Sequence, residues 1–110
     1  MEIKIESKDD ISICRVSGEI TFSTSPDLRK RLIELTDKHI KKIVIDMKNL
    51  TYIDSSGMAT VVEILQKIKA IDGELKLANV PDKIKDILEM VRLKDIFDIQ
   101  ESEEAALASF

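Results

Sequence analysis

The strongest constraint on the fold is an alternation, along the whole chain, between short apolar runs of strand character and longer segments with helical spacing. Residues 2–6 alternate charged residues with isoleucine, which predicts a strand with one wet face. The β-branched run 43–47 predicts a strand covered on both faces. Between them, three leucines recur at helical spacing after Ser25 and Pro26, which predicts a helix with Ser25 as its N-cap.

The same reasoning predicts nine elements in the order β-β-α-β-α-β-α-(β)-α. The strands are 2–6, 11–16 (ended by Gly18), 43–47, 75–78 and a short last strand, 96–99. The helices run from Ser25 to about Lys38, from Asp54 to about Ile71, from Pro81 onward, and over 101–110. Successive strand–helix–strand units require parallel neighbours and crossovers of one hand, which place the helices mainly on one face. The sequence therefore predicts a single α/β domain over 1–110, with a mixed four- to five-stranded sheet whose first strand is antiparallel at an edge.

Composition and charge narrow the function. The 110 residues carry a net charge of −4, and 44% of them are hydrophobic, which is enough for one core. Nucleic-acid binding needs a basic patch, whereas the only basic cluster, Lys38, Lys41 and Lys42, is short and diluted by acids. The sequence contains neither a signal-peptide pattern nor an apolar run long enough to span a bilayer. We expect a cytoplasmic protein that binds neither nucleic acid nor membrane.

Enzymatic motifs are missing. The three glycines, Gly18, Gly57 and Gly73, are too far apart to form a phosphate-binding loop. His39 is the only histidine, and its place near the end of the first predicted helix favours a dipole-complementing role over catalysis. Cys14 is the only cysteine, and its apolar surroundings predict a buried, inert thiol. We therefore expect no enzymatic activity, no cofactor and no metal site.

One segment, 49–59, combines hydroxyls with a carboxylate at the start of a helix that follows a strand. In an open α/β sheet, ligands and partners bind at this carboxyl end of the strands. The simpler interpretation of the spacing is N-capping, with Asp54 or a serine accepting amide hydrogen bonds. The other acids are interpreted as solvated surface, since Asp9–Asp10 belong to a predicted hairpin turn and Asp46 to a predicted strand end.

A helical wheel distinguishes the residues of this segment. At about 100° per residue, the apolar stripe of the second helix leaves Ser56 on the opposite, exposed face, together with Thr60. Ser55 falls on the flank, and Asp54 lies near the stripe, where it can cap the helix. Gly57 weakens a helix by about 1 kcal/mol, and its lack of a side chain predicts close approach by another protein to Ser56.

The string Thr51-Tyr52-Ile53-Asp54-Ser55-Ser56-Gly57 resembles the signature of the anti-sigma factor antagonists, the bacterial branch of the STAS domain family. The segments 16–20, 73–80 and 93–97 are similar to further elements of that family, so that the resemblance extends over essentially the whole chain. The resemblance implies a STAS-like fold and a regulatory binding protein rather than an enzyme. The alternative function is that of a scaffold STAS module in a larger stress-signalling assembly.

The resemblance also implies a switch. The serine directly before the glycine, Ser56 here, would be phosphorylated by an anti-sigma factor with serine kinase activity and the histidine-kinase-like ATPase fold, and a metal-dependent serine phosphatase would reset it. The unphosphorylated form would bind the anti-sigma factor and so release a sigma factor. The implied partner surface consists of Thr21, Phe22, Ser23, Asp54, Ser55, Ser56, Gly57, Met58 and Thr60. One departure is Thr21, at a position where many members carry an aspartate near the phosphorylation site.

Overall fold

The chain forms nine regular elements and one 3₁₀ turn, and the computed structural model describes all residues from Met1 to Phe110. The strands are β1 (Glu2–Lys8), β2 (Ile11–Ile20), β3 (Lys42–Ile53), β4 (Glu74–Ala78) and β5 (Asp98–Gln100). The helices are α1 (Ser25–Asp37), α2 (Ser55–Ala70), α3 (Asp82–Met90) and α4 (Glu103–Ala108), with the 3₁₀ turn at Lys94–Ile96. The predicted order of elements is confirmed.

The five strands form one mixed sheet in which the spatial order, β1-β2-β3-β4-β5, is the order along the chain. β1 is an edge strand and pairs antiparallel with β2, as predicted, whereas all other pairs are parallel. Each parallel pair is joined by a helical crossover. Because the strand order never reverses, the three crossover helices lie on the same face of the sheet.

The main core lies between the sheet and α1, α2 and α3. Leu28 and Leu32 of α1, Ile64 and Ile68 of α2, and Ile84 of α3 are all fully buried in it. The other face of the sheet is covered in part by α4. There Ala106 packs on a smaller apolar cluster formed by Ile13, Val44 and Ala78.

β2 and β3 are much longer than predicted, because they pair with each other far beyond the reach of β4. The pairing continues through Gly18↔Leu50 to Ile20↔Ile53, whereas β4 pairs only with residues 42–46 of β3. The prediction that Gly18 ends the second strand is therefore wrong. Its φ of +87° accommodates a register shift, and β2 continues past it. As a result, β2 and β3 end side by side at one edge of the sheet.

Element boundaries differ elsewhere for local reasons. Thr24, not Ser25, is the residue before α1, and Ser25 is the first helical residue. The predicted last strand shifts from 96–99 to Asp98–Gln100, because Lys94–Ile96 forms a 3₁₀ turn. The predicted terminal helix 101–110 is shorter, since α4 begins only after Ser102, whose hydroxyl accepts a hydrogen bond from the Ala105 amide at 3.0 Å.

Candidate functional site

The candidate site lies where β2 and β3 end, at the start of α2. Residues 21–24 leave β2 and lead into α1, and Asp54 alone joins β3 to α2. The Asp54 amide donates to the carbonyl of Ile20, with an N···O distance of 3.0 Å, and holds the two chain segments together. The long β2–β3 pair thus brings the loop 21–24 against the N-terminus of α2.

Asp54 caps α2, as the sequence predicts, and it also does something the sequence did not indicate. One carboxylate oxygen, Oδ1, accepts a hydrogen bond from the Gly57 amide at 3.0 Å. The other, Oδ2, accepts one from the Phe22 amide at 2.9 Å. These amides, that of Gly57 foremost, hold the pKa of the Asp54 carboxyl below its ordinary value. Asp54 therefore stays ionised at neutral pH and ties the loop to the helix.

The loop 21–24 is fixed by a dense set of hydrogen bonds. Thr24 Oγ1 donates to the carbonyl of Glu19 and accepts from the Thr21 amide, both at 2.8 Å, so its hydroxyl supports the loop rather than capping α1. Thr21 Oγ1 in turn accepts from the Ser23 amide at 3.3 Å. Thr21 is thus part of the loop framework.

Two aromatic side chains are exposed beside this framework. Phe22 is 79% exposed, and Tyr52, the penultimate residue of β3, is 42% exposed. An exposed phenylalanine costs free energy in water, yet here it is carried by a loop whose backbone is well fixed. Aromatic residues are enriched in protein–protein interfaces. The site therefore presents an apolar side chain next to a polar helix start.

The exposure of the two serines differs from the helical-wheel prediction. Ser55 is exposed and Ser56 is half-buried, whereas the wheel made Ser56 the more exposed of the two. The reason is that the buried side of α2 also includes Gly57, Thr60 and Ile64, which rotates its centre by about 50° from the predicted stripe. Packing of α1 against α2 buries this flank. The hydrogen bonds at the helix start go to Asp54 rather than to either serine hydroxyl.

Gly57, Met58 and Thr60, three of the implied partner-surface residues, are buried. A Cβ at Gly57 would lie 2.7 Å from side-chain carbons of both Ile20 and Ile53. The glycine therefore lets α2 pack closely on the ends of β2 and β3. The prediction that it opens an approach path for a partner is wrong, because its bare side faces the core.

Two shallow grooves flank the first turns of α2. One lies between α2 and the segment after α3 and is mostly apolar; its lining includes Ser55, Ala59, Val62, Val91 and Leu93. The other lies between α1 and α2 and includes Arg29, Lys30 and Thr60. Next to it, Arg29 Nε donates to Glu63 Oε1 at 2.8 Å, and this ion pair lowers the pKa of the Glu63 carboxyl.

A second polar cluster, on the face of the sheet that α4 covers, is not predicted by the sequence analysis. Asp46 lies within β3 and is only 7% exposed, so its interpretation as solvated surface is wrong. Its carboxylate accepts hydrogen bonds from the Lys48 amide at 2.9 Å and the Asn79 side chain at 3.2 Å. Burial, together with the neighbouring Glu103 carboxyl, raises the pKa of Asp46. Arg15 binds Glu103 through Nε and Nη2, at 2.7 and 2.9 Å, and compensates the charge.

The sequence correctly places four other titratable residues. Asp9 and Asp10 are exposed in the hairpin turn, and Asp10 pairs with Lys42 at 3.0 Å. Cys14 is fully buried, and burial raises its pKa to about 12. His39 is exposed just after α1. No helix of the structure combines the length and apolar character that crossing a membrane requires.

Comparison with known proteins identifies the family to which this chain belongs. The family model described as STAS domain matches residues 2–106. The chain belongs to the STAS domain family. An anti-sigma-B factor antagonist of Staphylococcus aureus is 28% identical to this STAS chain over 104 residues, which cover 94% of the chain and 96% of the relative.

Solved structures share the STAS fold. The Thermotoga maritima protein TM1081 superposes with a TM-score of 0.92 at 21% identity, over 97% of this chain and 92% of that one. The anti-sigma factor antagonist SpoIIAA in its unphosphorylated form superposes with a TM-score of 0.77 at 15% identity, over 98% and 96% of the two chains. SpoIIAA of Bacillus has also been solved in a phosphorylated form, with a TM-score of 0.77 at 18% identity, over 99% and 100%.

Proposed function

We propose that this STAS domain is an anti-sigma factor antagonist: its unphosphorylated form binds an anti-sigma factor and thereby releases a sigma factor. The observation that carries the proposal is the start of α2, where Asp54 caps the helix beside Ser55 and Ser56 and holds the exposed Phe22 loop against it. The names of its relatives support the same class, since the S. aureus relative is an anti-sigma-B factor antagonist. The chain acts by binding and has no catalytic role.

The switch is phosphorylation of Ser56 by the anti-sigma factor, acting as a serine kinase. The Ser56 hydroxyl oxygen bonds to the γ-phosphorus of ATP held by the kinase, the bond to ADP breaks, and the hydroxyl proton passes to a base of the kinase. A serine phosphatase reverses the state by adding water across the phosphoester, which restores the hydroxyl and releases phosphate. SpoIIAA, a protein of the same fold, has been solved in a phosphorylated form, which supports a switch of this kind.

The physics of the site favours such a switch. A phosphoryl group adds a charge of about −1.5 to −2 at neutral pH. The free domain tolerates it, because the amides and the dipole at the N-terminus of α2 favour an anion there. In an interface, the same charge must be desolvated, and a loss of about 2.8 kcal/mol already weakens binding a hundredfold. The fold can stay intact while the partner dissociates.

The choice between the two serines rests on the family motif and on position. The motif places the modified residue directly before the glycine, which is Ser56. In the structure Ser55 is exposed and Ser56 is half-buried, so the kinase would have to reach a partly covered hydroxyl group. Ser56 is the second helical residue, and its phosphate would remain close to the free amides of the first turn.

The test is incubation of the purified chain with each anti-sigma kinase of the source organism and ATP, followed by phosphopeptide mapping. Ser56→Ala should abolish labelling and preserve binding of the kinase, whereas the matched control Ser55→Ala should be labelled normally. Binding of the phosphorylated chain should be at least a hundredfold weaker. Phosphate on Ser55 would refute the site, and full-strength binding by the phosphorylated chain would instead favour the scaffold function.

A further inference from the structure

Phe22 is the most exposed aromatic side chain of the protein, and its backbone amide is hydrogen-bonded to Asp54. The amides of Thr21, Phe22 and Ser23 each donate to a side-chain oxygen within the site. Because the backbone of the loop is held in this way, little loop-ordering entropy is lost when a partner covers Phe22, so more of the burial of its side chain contributes to affinity. This is the arrangement expected of a pre-organised interface anchor.

Only one of these bonds connects the loop to α2: the Phe22 amide donates to Oδ2 of Asp54, at 2.9 Å. The other oxygen of the same carboxylate accepts from Gly57, and the Ser56 amide also contributes to the low pKa of Asp54. The carboxylate that positions Phe22 therefore lies between the loop and the residue proposed to be phosphorylated.

A phosphoryl group on Ser56 would act directly on this carboxylate. It carries the same sign of charge as Asp54, and it seeks the same amide donors of the first helical turn. Both effects weaken the hold of Asp54 on the amides it now binds. The bond to Phe22 is the one exposed to water, and the other link to the start of α2, from the Asp54 amide to the Ile20 carbonyl, holds the chain two residues before Phe22.

We propose that Phe22 is the aromatic anchor of the partner surface, and that Asp54 couples its position to the phosphorylation state of Ser56. This inference rests on the proposed function and adds a mechanism to it. Phosphorylation would do more than place a charge in the interface. It would also release the loop that carries the anchor, so that the partner loses an electrostatically acceptable surface and a pre-formed apolar contact together.

The first arm of the test needs no partner. Phosphoserine is incorporated at position 56 during translation, and amide hydrogen exchange is followed by NMR. The Phe22 amide should exchange about tenfold faster or more in the phosphorylated chain. The Ser25 amide, which donates to the Thr21 carbonyl at 2.7 Å and does not involve Asp54, is the matched control and should stay protected. Unchanged exchange at Phe22 would overturn the coupling.

The same exchange measurement in the Asp54→Asn variant tests whether the effect passes through Asp54. Asparagine has one carbonyl oxygen and can serve only one of the two amides, while it remains a good N-cap. The Phe22 amide should exchange fast in this variant already, and phosphoserine at 56 should add little. If phosphorylation accelerates exchange equally in both backgrounds, the effect does not pass through Asp54.

The second arm measures binding of the unphosphorylated chain to the kinase that labels Ser56. Phe22→Ala should weaken binding roughly tenfold or more, whereas Met90→Ala, at the other strongly exposed apolar side chain, should not. Equal binding by Phe22→Ala and the wild-type chain would refute the anchor. Failure of the wild-type chain to bind any anti-sigma kinase would refute the proposed function instead, and the exchange experiment would still decide the coupling.

Discussion

Two aspartates of similar sequence setting have opposite roles in this domain. Asp46 and Asp54 are eight positions apart in the chain, one within β3 and the other directly after it. Asp54 accepts amide hydrogen bonds in contact with water, and its pKa is lowered. Asp46 is covered by α4, meets a second carboxyl, and has a raised pKa. The surface aspartate therefore serves the site, whereas the buried one is destabilised by burial and by the neighbouring Glu103 carboxyl, and Arg15 offsets the negative charge of this pair.

The largest expected effect concerns the packing beneath Asp54. Gly57→Ala should destabilise the fold by about 2 kcal/mol, because its Cβ meets Ile20 and Ile53 and this overpacking exceeds the gain in helix propensity. Urea denaturation measures the difference. Ala59→Gly, at an exposed position of the same helix, should cost about 1 kcal/mol for propensity alone. A Gly57→Ala variant more stable than the wild type would show that the helix does not need this close approach.

The next effect concerns Arg15, which compensates the negative charge of Asp46 and Glu103. Arg15→Ala should destabilise the fold by about 1 kcal/mol at neutral pH, since the ion pair is only partly exposed on the Glu103 side. The pKa of Glu103, which Arg15 holds at about 2, should rise. Carboxyl titration by NMR and chemical denaturation test both parts. Glu6→Gln removes the exposed partner of Arg15 and should change stability by less than about 0.5 kcal/mol.

A smaller effect of opposite sign is expected at Asp46 itself. Asp46→Asn should stabilise the domain by about 0.5 kcal/mol near pH 7, because it removes the desolvated charge and its repulsion from Glu103. A group with a raised pKa destabilises the fold only where the unfolded chain is ionised. The gain should therefore disappear as the pH falls below 3.8, the ordinary value for aspartate. Denaturation curves across this range provide the check, and a gain that persists at acidic pH would contradict the explanation.

The smallest effect on stability is expected at Asp54. Asp54→Asn keeps an N-cap and changes a carboxylate that is open to water, so its denaturation midpoint should lie close to that of the wild type at neutral pH. Because the pKa of Asp54 is lowered, its contribution is present at neutral pH and is lost as the pH falls through that pKa. A large destabilisation would remove the contrast between the two aspartates.

The features that the sequence predicts correctly depend on residues that are close together in the chain. The order of elements follows from apolar periodicity, and the Asp54 cap follows from residues within one turn of one another. Its second bond, to the Phe22 amide, joins residues 32 positions apart, and no local pattern signals it. The wheel failed on Ser56 and Thr60 because a wheel contains one helix, whereas α1 buries a second flank of α2.

The burial of the sheet face under α4 could not be predicted either, because it depends on contacts between elements distant in the chain. Lys76 alternates with Leu75 and Leu77, a pattern that predicts a sheet face partly in water, yet Lys76 is only 4% exposed. Its ammonium donates to Asp98 at 2.6 Å and lies 4.9 Å from the centre of the Phe110 ring. These partners come from the last thirteen residues, and only the folded chain brings them to β4.

The strand order of the sheet has a consequence for how the domain is made. Since each strand pairs with the one synthesised just before it, every crossover can close as soon as its second strand leaves the ribosome. Each parallel pairing therefore spans a single helical crossover, the kind of connection that parallel strands require. The exception is α4, which reaches back to β3 and β4 after everything else is in place. A nascent chain therefore completes the Asp54 surface early, and it leaves Asp46 and Lys76 hydrated until the final helix closes over them.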